Sequence, residues 1–247
     1  MISRPERLGP GVLTRSCPPE SVDRVVGEAG RAEKHRRLLS ARFTVYFVLA
    51  MCLFPQAGYL EVLRLVKTGD PGLRSWSGVN KSSLTRARQR LGWPVPRELF
   101  RAVARPLGTD GKLFRGLRVL ALDGTLPAVP DSAGNNDTFG KSGSQRSPMG
   151  YPKAGVVAVA ECSSHAVLDA VVGGFKDSER IVSDALGAHV GTGTLLLADR
   201  GLWALARWHR LRDQGTHLLW RIERCKARPV QDVLPDGSVQ PGMTNLT

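Results

Sequence analysis

The sequence predicts an α/β protein (in the sense of α+β) in which a helical, basic N-terminal module precedes a core built on a mixed sheet. Apolar residues recur with helical spacing in the first half, whereas short apolar runs typical of buried strands dominate the second half. The balance of basic and acidic residues also differs between the two halves. Residues 1–116 hold 21 Lys and Arg against 9 Asp and Glu, while residues 117–247 hold 14 against 13. We therefore expect a helical domain over 1–108, a sheet domain over 117–228 and an irregular tail over 229–247.

The first half is expected to form a small helical bundle. Residues Val22–Ala29 have helical apolar spacing, and Gly30 ends that helix. The stretch Phe43–Phe54 is apolar almost all round, which predicts a buried central helix capped by Ser40. Asn80 and the residues after it form a strong helix-start signal. The other predicted helices are Tyr59–Val66, Leu84–Leu91 and Pro96–Leu107.

The second half is expected to alternate strands with helices, which indicates helices packed against a sheet. Residues 130–152 are rich in Gly, Ser, Pro and Asn, and we expect them to form a long loop. A turn at 163–165 predicts a hairpin between the two strands that flank it. The predicted strands are Leu117–Leu122, Gly155–Ala160, Val167–Val172, Thr194–Ala198 and Thr216–Ile222, and the predicted helices are Asp177–Val190 and Gly201–Gln214.

Composition narrows the class of partner. The chain has 247 residues and a formal net charge of +13, which points to a polyanion such as nucleic acid. Its four cysteines show no C-x-x-C spacing, which argues against a zinc ribbon or a disulfide scaffold and favours a reduced, cytoplasmic setting. The longest apolar run, Phe43–Phe54, is shorter than the roughly 20 residues that a spanning helix needs. We also expect no signal peptide and no membrane partner.

Two aspartates occupy the same local setting. Asp123 and Asp199 each follow an apolar run that predicts a strand, and a glycine follows each of them within two residues. Ligands of α/β sheets gather beyond the carboxyl ends of strands, so both side chains could face one site. Neighbouring carboxylates repel each other unless cations lie between them, and two hard metal ions are the usual solution. The alternative is that each aspartate caps a turn or the following helix.

Four cations crowd one short predicted helix, namely Lys81, Arg86, Arg88 and Arg90. This helix follows another helix and a turn, so a helix-turn-helix-like use against DNA is conceivable. The alternative is a solvated arginine face without a ligand. The net charge of +12 over residues 1–116 favours DNA, because neutralisation of phosphates by Lys and Arg supplies most non-specific affinity.

Several motifs together resemble bacterial insertion-sequence transposases of the DDE type, and specifically the insertion-sequence-four family. The resemblance extends across roughly residues 7–228. In the second half it rests on Leu120–Thr125, Val129–Asp131 with Phe139-Gly140, Val159–Ala170, and Leu196–Gly201. In the first half Phe47–Met51 and Ala87–Gly92 resemble the dedicated N-terminal domain of that family.

This resemblance implies an RNase H-like core in which two aspartates and a glutamate hold two Mg²⁺ ions. Such enzymes cut DNA at transposon ends and join the 3′-hydroxyls to target DNA. By motif, Asp123 matches the first aspartate and Asp199 the second, and Arg200 would contact a phosphate. The implied partners are transposon-end and target DNA, with a second copy or a full-length transposase as a protein partner. The implied location is the bacterial cytoplasm, in association with the nucleoid.

The third acid of the family pattern is not found. It belongs to a motif of the form Tyr-x-x-Arg-x-x-x-Glu-x-x-x-x-x-x-Lys, whereas the last tyrosine here is Tyr151. Glu223 follows a predicted strand and does not match the motif, so it is not assigned. We therefore expect a C-terminally truncated transposase that keeps two of three metal ligands. The alternatives are an inactive DNA-binding fragment that occupies transposon ends or inhibits the full-length transposase, and a remnant that folds poorly.

Overall fold

The computed structural model confirms an α/β fold, and its contacts divide the chain into two units, Met1–Val103 and Ala104–Thr247. Most of the predicted helix 177–190, and Glu223, lie outside the residues that the structure describes. Within the described residues, no helix has both the length and the apolar character needed to cross a bilayer. The described residues are 10–35, 38–67, 79–108, 114–144, 147–174, 177, 189–221, 230–233, 235 and 239–241.

The described part of the N-terminal unit is helical, as predicted. Helix α3 contacts α1, α2, α4 and α5, which confirms its central position. Its Val45 packs with α2 and α6, whereas Phe47 packs with α4 and α5. Helix α6 ends earlier than predicted because Pro106 disfavours a helical conformation at the residue before it. The helices are α1 (Pro10–Ser16), α2 (Pro19–Glu28), α3 (Ala41–Leu53), α4 (Tyr59–Lys67), α5 (Lys81–Leu91) and α6 (Pro94–Val103).

Asn80 caps the beginning of α5. Its Oδ1 accepts hydrogen bonds from the backbone N–H of Ser83 at 2.8 Å and from the Ser83 hydroxyl at 3.0 Å. We expect Asn80→Ala to lower the free energy of unfolding by about 1 kcal/mol, because the first turn of α5 loses its acceptor. Thermal unfolding followed by far-ultraviolet circular dichroism measures this loss. Asn80→Asp keeps an acceptor and is the control; equal stability of all three proteins would contradict the role of the cap.

The C-terminal unit is built on a mixed five-stranded sheet with the strand order β5-β4-β1-β6-β7. Strand β4 runs antiparallel to β1 and β5, whereas β6 runs parallel to β1 and β7 parallel to β6. The core includes Leu120, Val159, Leu196 and Trp220 from the sheet and Leu211 from helix α8. The elements are β1 (Arg118–Thr125), α7 (Ala133–Phe139), β2 (Lys141–Ser144), β3 (Ser147–Pro152), β4 (Ala154–Glu161), β5 (Val167–Gly174), β6 (Thr194–Ala198), α8 (Leu205–Asp213) and β7 (His217–Trp220).

The prediction of a long loop over 130–152 is wrong, because this segment contains α7 and the hairpin of β2 and β3. Ser132 caps α7 by accepting the backbone N–H of Asn135 at 3.3 Å. The Asp131 carboxylate accepts hydrogen bonds from the Asn136 amide at 2.7 Å and from Lys141 Nζ at 2.8 Å. Helix α7 has no buried residue, so polar bonds rather than an apolar pattern order it, and hydrophobic periodicity could not reveal it.

The other differences concern the ends of elements and the tail. Helix α8 begins only at Leu205, after a short 3₁₀ helix at Arg200–Leu202. The prediction of an irregular tail is wrong for the residues that form an antiparallel ribbon of β8 (Val230–Val233) and β9 (Val239–Pro241). These two strands are short and separated by Pro and Gly, and therefore show no clear periodicity in the sequence.

Candidate active site at the carboxyl ends of the central strands

Asp123 and Asp199 lie on two neighbouring parallel strands of the sheet. The parallel pairing of β1 with β6 ends where Leu122 faces Ala198, and the two aspartates come directly after this pair, Asp123 within β1 and Asp199 just beyond the end of β6. Strand β1 continues through Asp123 because this residue still pairs with Ala158 of antiparallel β4. Asp123 is thus inside β1 rather than beyond it. Neighbouring strands are about 4.8 Å apart, so the sheet brings both aspartates to one edge.

Both aspartates are open to solvent. Asp123 is exposed, and its Oδ1 accepts the N–H of Gly124 at 2.8 Å. The Asp199 side chain is 62% exposed and makes no capping hydrogen bond to the 3₁₀ helix that follows it. The capping alternative therefore receives no support at Asp199, and its carboxylate remains accessible to a ligand.

Two arginines lie near Asp199. Arg200 is exposed at the beginning of the 3₁₀ helix. Arg221 follows β7, and its backbone N–H donates to the carbonyl of Ala198 at 3.1 Å. Its Nη1 lies 3.9 Å from Asp199 Oδ1, and its side chain is 72% exposed. Sequence reasoning missed Arg221, although the rule that located the aspartates also applies to the residue after β7. An exposed pair of this kind is weak and leaves Asp199 available.

The donor atoms at this edge suit a hard cation. Carboxylate oxygens are ligands that Mg²⁺ accepts, and Mg²⁺ is often held by one or two carboxylates together with waters and substrate phosphates. In the part of the chain that the structure describes, no group of three or more His, Cys, Asp or Glu side chains is placed to hold a metal ion. A cation at this edge would have Asp123 and Asp199 as its acidic protein ligands, and its further coordination positions would be left to water and substrate.

The structure gives different environments to the four cations of α5. Its inner face consists of Leu84, Ala87 and Leu91, and among the cations Lys81 and Arg86 are exposed. Arg88 instead turns inward: its Nη1 donates to the hydroxyl of Tyr59, and its guanidinium lies 5.3 Å from the centre of that ring. Arg90 is exposed, and its Nη2 donates to the Leu39 carbonyl at 3.3 Å.

Glu161 is a buried carboxylate that sequence reasoning did not single out. It is 0% exposed, and its Oε2 accepts hydrogen bonds from Leu107 N at 3.1 Å, Gly108 N at 2.8 Å and Ser164 Oγ at 2.5 Å. Arg118 Nε lies 3.4 Å from Oε1. The Ser164 hydroxyl, followed by the backbone N–H groups of Gly108 and Leu107 and then by Arg118, holds the pKa of Glu161 below its ordinary value against the opposing effect of burial.

Glu161 is separate from the end of the sheet that carries Asp123 and Asp199, which we call the aspartate edge. It pairs with Leu120, three residues before Asp123 along β1, which corresponds to about 10 Å of strand. Its acceptor oxygen is directed at the segment that leads into the C-terminal unit. Glu161 is therefore a structural group that holds residues 107 and 108 against the end of β4.

The sequence of the chain is similar to those of known transposases. Residues 7–101 match the family described as Insertion element 4 transposase N-terminal. The chain is 28% identical over 217 residues to the transposase InsG for insertion sequence element IS4 of Escherichia coli (strain K12), which covers 87% of this chain and 49% of InsG. It is 24% identical over 219 residues to "Putative transposase InsZ" of the same strain, which covers 87% of this chain and 72% of InsZ.

These similarities confirm the resemblance. The chain is similar to these IS4-type transposases over most of its length, and its residues 7–101 match the N-terminal domain of that family. The chain spans about half the length of InsG.

Proposed function

We propose that this chain acts on DNA as part of an insertion-sequence transposase that cuts transposon ends and joins them to target DNA by two-metal chemistry. One observation carries the proposal: Asp123 and Asp199 occupy equivalent positions on adjacent parallel strands, in a chain related to IS4-type transposases. The RNase H-like core that the resemblance implies would need this adjacency, because both aspartates would have to serve one metal site. Such an enzyme would work on bacterial DNA in the cytoplasm.

The residues at the aspartate edge have distinct roles in this proposal. Asp123 and Asp199 would hold Mg²⁺ through their carboxylate oxygens. Divalent ions held there would supply the activation of a water or 3′-hydroxyl and the stabilisation of the leaving oxygen that phosphodiester chemistry needs. Arg200 would contact a DNA phosphate, while Arg221 would orient the Asp199 carboxylate. Exposure of the whole edge suits a polymer substrate, which cannot enter a closed pocket.

The N-terminal unit would bind the DNA. Lys81, Arg86 and Arg90 are exposed on α5, and cations of this kind position a protein on the phosphate backbone. Arg88, whose guanidinium is engaged with Tyr59, would support the helix and contribute its charge. The unit would act in a homo-oligomer or together with a full-length transposase.

The test uses the full chain and duplex DNA that carries the terminal sequences of the element encoding it. We expect Mg²⁺-dependent nicking at the transposon ends. We also expect affinity to fall about 10³- to 10⁵-fold between about 50 and 200 mM salt if 6–10 phosphates are contacted. Binding that does not respond to salt, together with no nicking in Mg²⁺, would overturn the proposal.

A second candidate is an inactive fragment that occupies transposon ends or inhibits the full-length transposase. It is favoured by the observation that, among the described residues, no third acid joins Asp123 and Asp199. This candidate expects salt-sensitive binding without nicking. It also expects strand transfer by the full-length protein to fall when this chain is added in excess, and an unchanged rate of transfer would contradict it.

A further inference from the structure

The N-terminal unit contains a cavity of about 350 Å³ between the end of α2, the beginning of α3 and one side of α5. We call it the α2–α3 pocket. The segment after α2 lines it with Arg31, Glu33, Lys34 and His35, and α5 contributes Arg90. Ala41 and Thr44 of α3 also line it. The pocket is therefore bordered by three permanent cations, one carboxylate and one histidine.

The cations of the α2–α3 pocket differ from the other arginines of the same unit. Arg24, Arg42, Arg64, Arg97 and Arg101 each lie within ion-pair distance of an aspartate or glutamate. Among the described residues, none of the ion pairs includes Arg31, Lys34 or Arg90, and Glu33 is the carboxylate that shares the cavity with these three cations. Like charges around one cavity repel each other. An anion bound in the cavity would attract all of these cations and so offset their mutual repulsion.

The fold holds this charged wall in place. Arg90 Nη2 is tied to the Leu39 carbonyl at 3.3 Å. The Arg31 guanidinium lies beside Gly92, where a Cβ would approach its Nη2 to 3.6 Å. The Thr44 hydroxyl donates to the Ser40 carbonyl at 2.7 Å and so remains within the first turn of α3. Positive potential at the beginning of α3 adds to that of the side chains. Arg90 is therefore tied to the backbone before any ligand arrives, and the Arg31 guanidinium lies close to the chain at Gly92.

We propose that the α2–α3 pocket binds one phosphate group. A volume of about 350 Å³ lies near the lower end of ligand pockets, so it accommodates a phosphate with an attached sugar but not a duplex. A phosphodiester of bound DNA and a free phosphate share this chemistry. A DNA phosphate as the ligand rests on the proposed function and would place this pocket along the sugar-phosphate backbone of the bound DNA. A free phosphate as the ligand would not require the pocket to lie there.

The test compares two double variants with equal loss of charge. Arg31→Gln/Lys34→Gln removes two cations of the pocket, and Arg24→Gln/Arg64→Gln removes two exposed arginines outside it. DNA affinity is measured by fluorescence anisotropy over a series of salt concentrations. We expect the slope of log K against log salt to become shallower by about 0.9 in the pocket variant, the value for one lost phosphate contact, and to stay unchanged in the control. Thermal unfolding of both variants checks that they are folded.

A second arm identifies the source of the phosphate. Inorganic phosphate and a nucleoside monophosphate are titrated against the wild-type chain and the pocket variant, with thermal stabilisation as the readout. Stabilisation of the wild type alone, with the DNA slope unaffected, assigns the site to a free phosphate. Equal slopes in wild type and pocket variant together with no stabilisation by phosphate overturn the pocket while leaving DNA binding intact. Stabilisation by phosphate in a chain that does not bind DNA would instead refute the proposed function and keep the pocket.

Discussion

Asp123→Asn is expected to abolish stabilisation of the chain by Mg²⁺ and to lower Mg²⁺-dependent nicking of DNA by about 10³-fold. The reduction in rate follows because a divalent ion contributes several kcal/mol to the transition state of phosphodiester cleavage, and about 4 kcal/mol corresponds to a factor of about 10³. Asn keeps the size of the side chain but removes its negative charge. Asp199→Asn should behave in the same way, because both residues occupy the same edge of the sheet.

The stability measurement does not depend on catalytic activity. A ligand that binds only the folded chain at about 100 times its Kd adds about 2.7 kcal/mol to the free energy of unfolding. Without Mg²⁺, Asp123→Asn should be at least as stable as the wild type, since the two neighbouring carboxylates repel each other. Thermal unfolding is followed by the fluorescence of Trp203, Trp208 and Trp220, which contribute to the core of the C-terminal unit.

Asp213→Asn is the matched control for this prediction. Asp213 is an exposed carboxylate at the end of α8 with Arg212 as its ion-pair partner, and it lies outside the aspartate edge. Its replacement should leave the response to Mg²⁺ as it is in the wild type. If Asp123→Asn and wild type show the same shift in Tm with Mg²⁺, Asp123 is not a metal ligand.

Glu161→Ala is expected to lower the free energy of unfolding of the C-terminal unit by about 3 kcal/mol, because it removes a buried acceptor and each buried donor left without a partner costs about 1–3 kcal/mol. The substitution leaves the N–H groups of Leu107 and Gly108 and the Ser164 hydroxyl without their acceptor, and Arg118 without its counter-charge. Urea unfolding followed by tryptophan fluorescence measures the loss. Asp213→Ala removes an exposed carboxylate of the same unit and should change stability by less than about 0.5 kcal/mol.

The pH dependence provides a second readout for Glu161. Its pKa in the folded chain lies below its ordinary value of 4.5. Below that ordinary value the unfolded chain binds more protons than the folded chain, so the contribution of Glu161 is complete above about pH 4.5 and is lost as pH falls through the folded pKa. Glu161→Gln should remove this part of the acid sensitivity. An unchanged acid profile in Glu161→Gln, or a loss below about 1 kcal/mol in Glu161→Ala, would contradict the buried role.

Much of the fold could be predicted from local signals. The caps at Ser40 and Asn80 and the apolar stretch of α3 identified their helices, and the apolar runs identified β1 and β6. Helix α7 was missed because polar contacts to Asp131 order it instead of a buried face. Hydrophobic periodicity reveals an element that is buried on one side, so it cannot reveal an element that has no buried side.

The candidate site was predictable in part. The position of Asp123 and Asp199 after apolar runs indicated two strand ends, but the adjacency of those strands depends on sheet order, which no local pattern encodes. The burial of Glu161 and the inward turn of Arg88 likewise depend on residues distant in the chain: Leu107 and Gly108 in one case and Tyr59 in the other. Charge alone made Arg88 a candidate DNA contact and gave no reason to single out Glu161.

The amino-acid order alone therefore indicated the resemblance to IS4-type transposases, the change from basic helices to a sheet, and the two candidate aspartates. Caps, turns and hydrophobic periodicity each involve only a few neighbouring residues, and motifs are contiguous. These features can therefore be recognised in the sequence. The tertiary structure decided that β1 and β6 are neighbours, that Glu161 is buried, and that Arg31, Lys34 and Arg90 surround one cavity. Each of these features depends on contacts between segments that are distant in the sequence. Such contacts form, and contribute to stability, only when the chain has folded.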